Sequence, residues 1–388
     1  MNVLIASHIY PSRTYPSRGT FVHNQALFLQ AFCQLEILAA VPWFPAVSGF
    51  GRWSKYGTVE EYENLDGLKI QHPRYLTFPR RVLFDLVWRS YLTMLRRSVA
   101  VVPDIIHAHF AYPDGLAAVE YGRQIGRPVV ISVHGHDVRE IPDANRRWRE
   151  LVSRALMAAD AVIASSADIR LRVRNLGVPE KHIYAIPQGV DCKLFRPTQR
   201  RSITGDACWQ LLYAGRFDER KGLAVLLDAV AQLKATGQNA CLTMVGGDVL
   251  SGEADRFKRQ AEALGIQDEV KFVDAVPWQE MTEYMAATDI FVLPSYYDSF
   301  GIVLIEAMAC GKPVVATRCG GPNDIVEPGM GELVAVGDAG QLAEGIQRVI
   351  DQYDQYSPES IRRRIEARYD YRQVAQNIKA VYDGLAAQ

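Results

Sequence analysis

Charge of one sign is what this sequence most plainly lacks. Its 43 Lys and Arg are offset by 44 Asp and Glu, a formal net charge of -1 over 388 residues, so nothing favours nucleic acid, whose binding leaves a basic footprint. Cysteine is sparse. Cys33, Cys192, Cys208, Cys241, Cys310 and Cys319 are scattered singly, without the close pairs of a zinc site or the density of a disulfide scaffold. That scatter predicts reduced, mostly buried free thiols in a cytoplasmic protein. No apolar run approaches the roughly 18 residues of a spanning helix. The opening residues Met1 to His8 have no basic segment before the apolar one and read as a first strand, not a signal peptide. An internal repeat, a low-complexity tract, the six-position dinucleotide fingerprint and a P-loop are also missing.

What is present is the composition of an ordinary folded protein, 48% hydrophobic and 22% charged, in a chain too long for one typical core and comfortable for two. The apolar run Val3 to Ala6, a polar loop with Gly19, a helical stretch from Phe21 to Phe32 and a strand at Leu35 to Val41 open an α/β domain. Short apolar segments at 105–108, 129–133, 161–164 and 182–186 are spaced widely enough for crossover helices, which predicts a parallel sheet covered on both faces. A polar stretch from Gly189 to Asp206 reads as a linker. The pattern then restarts with strands at 209–214, 241–245, 270–273, 290–294 and 313–317, and helices between them whose ends carry glycine and proline.

Five segments can carry chemistry. Tyr213 to Gly222 delivers Arg216 and Lys221 to a loop beside a helix start, where cations and free N–H groups can meet phosphate; solvated surface charges are the plainer reading of the pair alone. Asp298-Ser299-Phe300-Gly301 leads into a helix holding Glu306, a carboxylate in apolar company that needs hydrogen-bonding partners, either sugar or ribose hydroxyls or an internal cap or salt bridge. Gly320-Gly321-Pro322-Asn323 follows a strand and permits close backbone approach, or is only a turn. Gly19 lies between the first strand and first helix, the usual ligand position at the carboxyl edge of a parallel sheet. His134-Gly-His136-Asp137 also ends a strand. A polar contact to a bound hydroxyl suits it better than a metal, since no third or fourth ligand stands at standard spacing. His107 and His109 are expected on opposite faces of their strand, a poor chelating pair.

The stretch from Arg80 to Arg97 interleaves five arginines with Val82, Leu83, Phe84, Trp88 and other apolar residues. It predicts a basic, aromatic helix, suited either to an anionic membrane surface or to core packing with solvated arginines.

The order of these motifs, from the loop at Gly19 through His-Gly-His-Asp, Pro-Gln-Gly-Val-Asp, Gly-Arg-Phe-Asp-Glu-Arg-Lys-Gly and Ser-Phe-Gly with Glu306 to Gly-Gly-Pro, resembles the retaining glycosyltransferases of family 4 over nearly the whole chain. The resemblance implies the GT-B fold, two Rossmann-like domains facing each other across a deep cleft. Residues 1–190 would bind the acceptor, completed by a terminal helix at 361–388, and residues 191–360 would bind the nucleotide sugar. It implies an enzyme of the EC 2.4 type moving a sugar from a UDP- or GDP-sugar to a hydroxyl of a glycan or lipid-linked glycan, with retention and with no cofactor or metal required. Arg216 and Lys221 would hold the diphosphate, helped by the backbone near Gly19. Glu306 would hold the ribose, Asp298 and His134 would meet the sugar, and the base would lie near Val273. Ser299, Phe300, Gly301 and the backbone from Gly320 to Asn323 would complete the donor site. The family usually has glutamate where Asp298 stands and asparagine where Gln188 stands. Placement in the cytoplasm, at the inner face of the membrane through residues 80–97, is expected. A GT-B epimerase or phosphorylase and a catalytically inactive sugar-binding subunit are the competing readings.

Overall fold

The computed structural model describes residues 1–43, 52–198, 207–247 and 253–387, divided into two compact units, 1–188 with 371–388 and 189–370. The first unit is built on an eight-stranded sheet. In spatial order its strands are Ile183–Ala185, Ala161–Ala164, Val129–Val133, Ile105–His109, Asn2–Ser7, Gln34–Ala39, Leu68–Gln71 and Tyr62–Leu65. The central strands are buried along their whole length, as expected where helices cover both faces. Their register sets Ile5 against His107, and His109 against Ser132.

The edge pair Tyr62–Leu65 and Leu68–Gln71 is antiparallel and was not anticipated. Asp66 and Gly67 both take positive φ, 51° and 87°, the conformation of a primed two-residue hairpin turn for which Asp-Gly is the sequence signal. The burial alternates beside it, but the apolar signal is hidden because the exposed position holds Tyr62 and the buried one Glu63.

The second unit carries a six-stranded, wholly parallel sheet in the order Val270–Val273, Ala240–Val245, Trp209–Ala214, Ile290–Leu293, Val314–Thr317 and Gly331–Val334. The last of these was not expected. It is a half-buried edge strand with little apolar signal.

Three expectations need correction. The helix placed at 361–388 is two helices. Pro358–Tyr369 stays in the second unit, with Ile361, Ile365 and Tyr369 in its core. Arg362 fastens it there by donating to the carbonyls of Phe195 and Ala309 at 2.8 Å and of Cys192 at 2.6 Å. Asp370 leaves helical geometry, and only Tyr371–Ala386 packs into the first core, through Val374, Ile378, Val381 and Tyr382. The stretch Gly189 to Asp206 falls outside the described residues from 199 onward. Its first part belongs to the second unit, where the Val190 N–H donates to the Tyr369 carbonyl at 2.8 Å.

The cysteines are not all free. Cys208 and Cys241 form a disulfide, because parallel pairing brings the starts of two neighbouring strands together across 33 residues of sequence. Cys33, Cys192, Cys310 and Cys319 are buried thiols. Among the described residues, no helix is long and apolar enough to cross a membrane.

Candidate functional site

In the second unit the expected site residues gather on loops at the carboxyl ends of consecutive strands, where an open parallel sheet binds its ligands. After Trp209–Ala214, the Tyr213 hydroxyl donates to the Arg216 carbonyl at 2.8 Å and shapes the loop. Arg216 itself is largely exposed, 3.3 Å from Asp218. Lys221 is held more closely, with Nζ 2.7 Å from Asp298 Oδ2 and both side chains mostly shielded from solvent. The cation expected on phosphate and the carboxylate expected on sugar are thus paired with each other. Gly222 follows at φ 67° and caps the next helix; a Cβ there would stand 2.0 Å from the Pro294 carbonyl oxygen.

Asp298 is fixed by its backbone as well. Its N–H donates to the Cys319 carbonyl at 3.2 Å, and its carbonyl accepts from the Gly321 N–H at 2.9 Å, while Oδ1 accepts from the Phe300 N–H at 3.3 Å. The loop of Ser299 and Gly301 and the loop of Gly320 and Gly321 are therefore stitched together. A Cβ on Gly321 would lie 2.2 Å from Phe300 Cα, so the second glycine is required for packing whatever else it does. Asn323 is exposed and Pro322 buried, opening the short helix Pro322–Ile325.

Glu306 lies in the helix Ile302–Ala309 with only 5% of its surface exposed. Trp278 donates its indole N–H to Oε1 at 2.7 Å. Burial pushes the carboxyl up to about 7 despite that bond. Trp278 was not singled out from the sequence, and its only signal was a large aromatic a few residues beyond the strand end at Val273. Gly246 and Gly247, ending a neighbouring strand, were also missed. A Cβ on Gly246 would meet the Gly215 carbonyl oxygen at 1.9 Å.

In the first unit Gly19 takes φ 72° at the start of the helix Thr20–Leu29, and a Cβ there would meet the Ile9 carbonyl oxygen at 2.5 Å. The fold brings this turn to His134, whose ring lies 4.7 Å from that of Phe21. His134 and His136 part company. His136 is turned outward to Glu140 at 2.8 Å and Arg81 at 3.1 Å. His134 packs against Phe110 and Phe21, with Nε2 3.1 Å from His109 Nδ1 and Nδ1 3.3 Å from the Gln188 amide. Asp137 holds the loop rather than a ligand. It is fully buried and accepts from the N–H groups of His134, Gly135 and Ala111 at 2.9 to 3.1 Å.

The expectation that His107 and His109 face opposite ways is wrong. Residues two apart on a strand share a face, and the two rings stack with centroids 4.6 Å apart. His107 Nδ1 meets the Tyr382 hydroxyl at 2.5 Å and Nε2 the Ser132 hydroxyl at 2.7 Å. Burial lowers all three imidazoles. His107 and His134 fall to about 3, and His109 drops well below the usual value with the neighbouring histidines adding to the effect. These rings are neutral in the folded protein. No group of three or more His, Cys, Asp or Glu among the described residues is placed to hold a metal ion.

The basic segment at 80–97 is not one helix. Two tight turns, Pro79–Arg81 and Phe84–Leu86, precede the helix Val87–Ser98, with Arg80, Arg81 and Leu83 at positive φ. The helix buries Tyr91, Leu92 and Leu95, whereas Val82, Leu83 and Leu86 in the turns are exposed.

Two families match in succession, Glycosyltransferase Family 4 over residues 52–194 and Glycosyl transferases group 1 over residues 197–368. The protein is a GT-B fold glycosyltransferase related to these families, and the homology supports action on a nucleotide-sugar donor. Among individual relatives, TuaC of Bacillus subtilis, named as a teichuronic acid biosynthesis glycosyltransferase, is 27% identical over 90% of this chain and 89% of its own. D-inositol 3-phosphate glycosyltransferase 2 of Catenulispora acidiphila is 34% identical over 64% of this chain, which spans 62% of that protein. The fold is shared with the sucrose-phosphate synthase of Thermosynechococcus elongatus, at a TM-score of 0.77 and 23% identity over 100% of this chain and 99% of that one. It is shared also with Anabaena HepE, solved with UDP and glucose, at a TM-score of 0.74 and 19% identity over 99% and 100%.

Proposed function

We propose that this protein transfers a sugar from a UDP- or GDP-sugar to a hydroxyl of a glycan or lipid-linked glycan, with retention at the anomeric carbon. The observation that carries the reading is the Lys221–Asp298 pair at 2.7 Å, beside Arg216 and within the same sheet edge as the buried Glu306. Lys221 and Arg216 take the diphosphate, whose charge rises as the bond to C1 breaks. Asp298, released from Lys221, accepts from a sugar hydroxyl, and Glu306 accepts from the ribose. Ser299, Phe300 and Gly301 line the donor with the backbone from Gly320 to Asn323, and the base sits near Val273. In the first unit the Gly19 backbone assists the phosphate and His134 packs near the sugar.

In the reaction the C1–phosphate bond breaks with its electron pair going to the phosphate oxygen. The acceptor oxygen bonds to C1 from the same face, and its proton passes to the departing phosphate. No cofactor enters these steps. A UDP donor is favoured by HepE, solved with UDP, and an envelope glycan acceptor by the name of TuaC. Residues 1–190 would serve the acceptor and 191–360 the donor. The protein would work in the cytoplasm at the inner membrane face, where the exposed Val82, Leu83 and Leu86 beside Arg80 and Arg81 suit an anionic surface.

A release assay across UDP-, GDP-, ADP- and dTDP-sugars, with and without a lipid-linked acceptor fraction, tests the reading. Acceptor-dependent release of one nucleoside diphosphate, with an α-linked product from an α-linked donor, is expected. Folded protein that turns over none of these donors, or that inverts the linkage, overturns it.

A further inference from the structure

A pocket that none of these roles uses opens at the carboxyl edge of the second sheet, where the turn Glu219–Lys221 enters the helix Leu223–Ala235. Its volume is about 410 Å³, inside the range of small-molecule sites. None of Arg216, Lys221, Asp298 and Glu306 is among the described residues that line it. Lys221 turns to Asp298, whereas its neighbour Arg220 turns into the pocket.

The floor is apolar, formed by Leu223 and Phe257 at 0% and 3% exposure. Tyr296 stands at the rim with 49% of its surface exposed. Its N–H donates to the Arg220 carbonyl at 2.8 Å, which ties the two walls together. Arg256 lies 5.8 Å from the centre of the Phe257 ring and pairs with Glu219. Both side chains of that pair are more than half exposed, so the contact contributes about 1 kcal/mol at most and exchanges easily. Arg220 lies 3.5 Å from Asp218, a carboxylate that also faces Arg216 at 3.3 Å. Neither Asp218 oxygen accepts a hydrogen bond. The pocket thus presents two guanidinium groups above an aromatic and aliphatic floor.

We propose that this pocket is a second ligand site, separate from the donor's, and that it takes a ring carrying a phosphate monoester. The phosphate displaces Glu219 from Arg256 and accepts from Arg220 as well. Guanidinium donors match phosphate oxygens in pairs, and a phosphate has three such oxygens to serve two arginines. A carboxylate, with two, would only repeat what Glu219 already supplies. The ring of the ligand packs on the exposed face of Tyr296. Because the site shares no ligand-binding side chain with the donor site, it goes beyond the transferase reading and does not need it.

Ligand-observed NMR titrations of the full chain test it, with glucose 6-phosphate against glucose, UMP against uridine, and inorganic phosphate alone. At least one phosphorylated ligand should bind about tenfold or more tightly than its unphosphorylated counterpart and than inorganic phosphate. Which one does so tells whether the ring is a sugar or a base. Arg256→Gln should reduce that ligand to the level of its counterpart, Tyr296→Ala should weaken it while leaving inorganic phosphate unchanged, and Lys221→Ala should leave it unchanged. Equal binding of both members of each pair, inorganic phosphate matching the best ligand, an Arg256→Gln protein that binds as the wild type, or loss of binding in Lys221→Ala overturns the proposal. No nucleotide sugar is used, so failure of donor turnover with this binding intact counts against the transferase reading alone.

Discussion

Glu306 is buried within an otherwise apolar helix. Its carboxyl moves from 4.5 to about 7, through loss of water around the charge. Between those values the folded protein keeps a proton that the unfolded chain releases, so stability contributed by the protonated acid is lost as pH rises through the window. Glu306→Gln should therefore match the wild type near pH 5 and gain up to roughly 3 kcal/mol at pH 8, read from denaturant melts at the two values. The same change should weaken donor binding about tenfold or more, as a charged hydrogen-bond acceptor is lost. Lys221→Ala should lower transfer by about 10² to 10³ with the fold retained by circular dichroism; full activity in that variant would remove Lys221 from the phosphate. These two residues were legible because each breaks a local pattern, a cation at a glycine turn and an acid inside an apolar helix. Trp278 was not, since an aromatic beyond a strand end looks like any core residue until its indole N–H is seen 2.7 Å from Glu306.

At the scale of the element, the loops are fixed by glycines that tolerate no side chain. Gly321→Ala would press a methyl carbon to 2.2 Å from Phe300 Cα, which no rotamer relieves. It should cost at least about 2 kcal/mol in a denaturant melt and pull Asp298 off Lys221, so activity should fall further than stability. Gly67→Ala, with open space around the added carbon, should cost only about 1 kcal/mol, set by its positive φ. The parallel strands of the second unit could be read directly because glycine and proline punctuate them. The edge hairpin, the strand Gly331–Val334 and the turns at 79–86 could not. Edges are half-exposed and carry a diluted apolar signal, and three non-glycine residues at positive φ in 80–83 leave no mark in a pattern that otherwise reads as helix. Pairing across strands was equally hidden for the Cys208–Cys241 bond, whereas the shared face of His107 and His109 follows from alternation along one strand.

Across the whole molecule, the buried imidazoles of the first unit and the buried Glu306 of the second should make the two units respond to acid in opposite directions. His107, His109 and His134 in the first unit are held neutral, two of them at about 3, so their stabilisation is complete above the unfolded value of 6.5 and is lost as pH falls below it. Burial lowers His72 as well, so up to four protons are taken up on unfolding, a slope of at most about 5 kcal/mol per pH unit. In the second unit, acid relieves Glu306. Calorimetry at pH 7.5 and pH 5 should show the first-unit transition falling on the order of ten degrees while that of the second holds or rises. A single transition moving as one between these pH values would count against separate cores.

The division of the first unit between residues 1–188 and 371–388 also sets an order of assembly. The second unit is continuous in sequence and can close as soon as it emerges from the ribosome. The first cannot. Its core waits for Val374, Ile378, Val381 and Tyr382, and buried His107 waits for its Tyr382 hydroxyl partner, until the whole second unit has been made. The portion synthesised first is thus the portion completed last, and during that interval its uncovered apolar face is the surface a chaperone would hold.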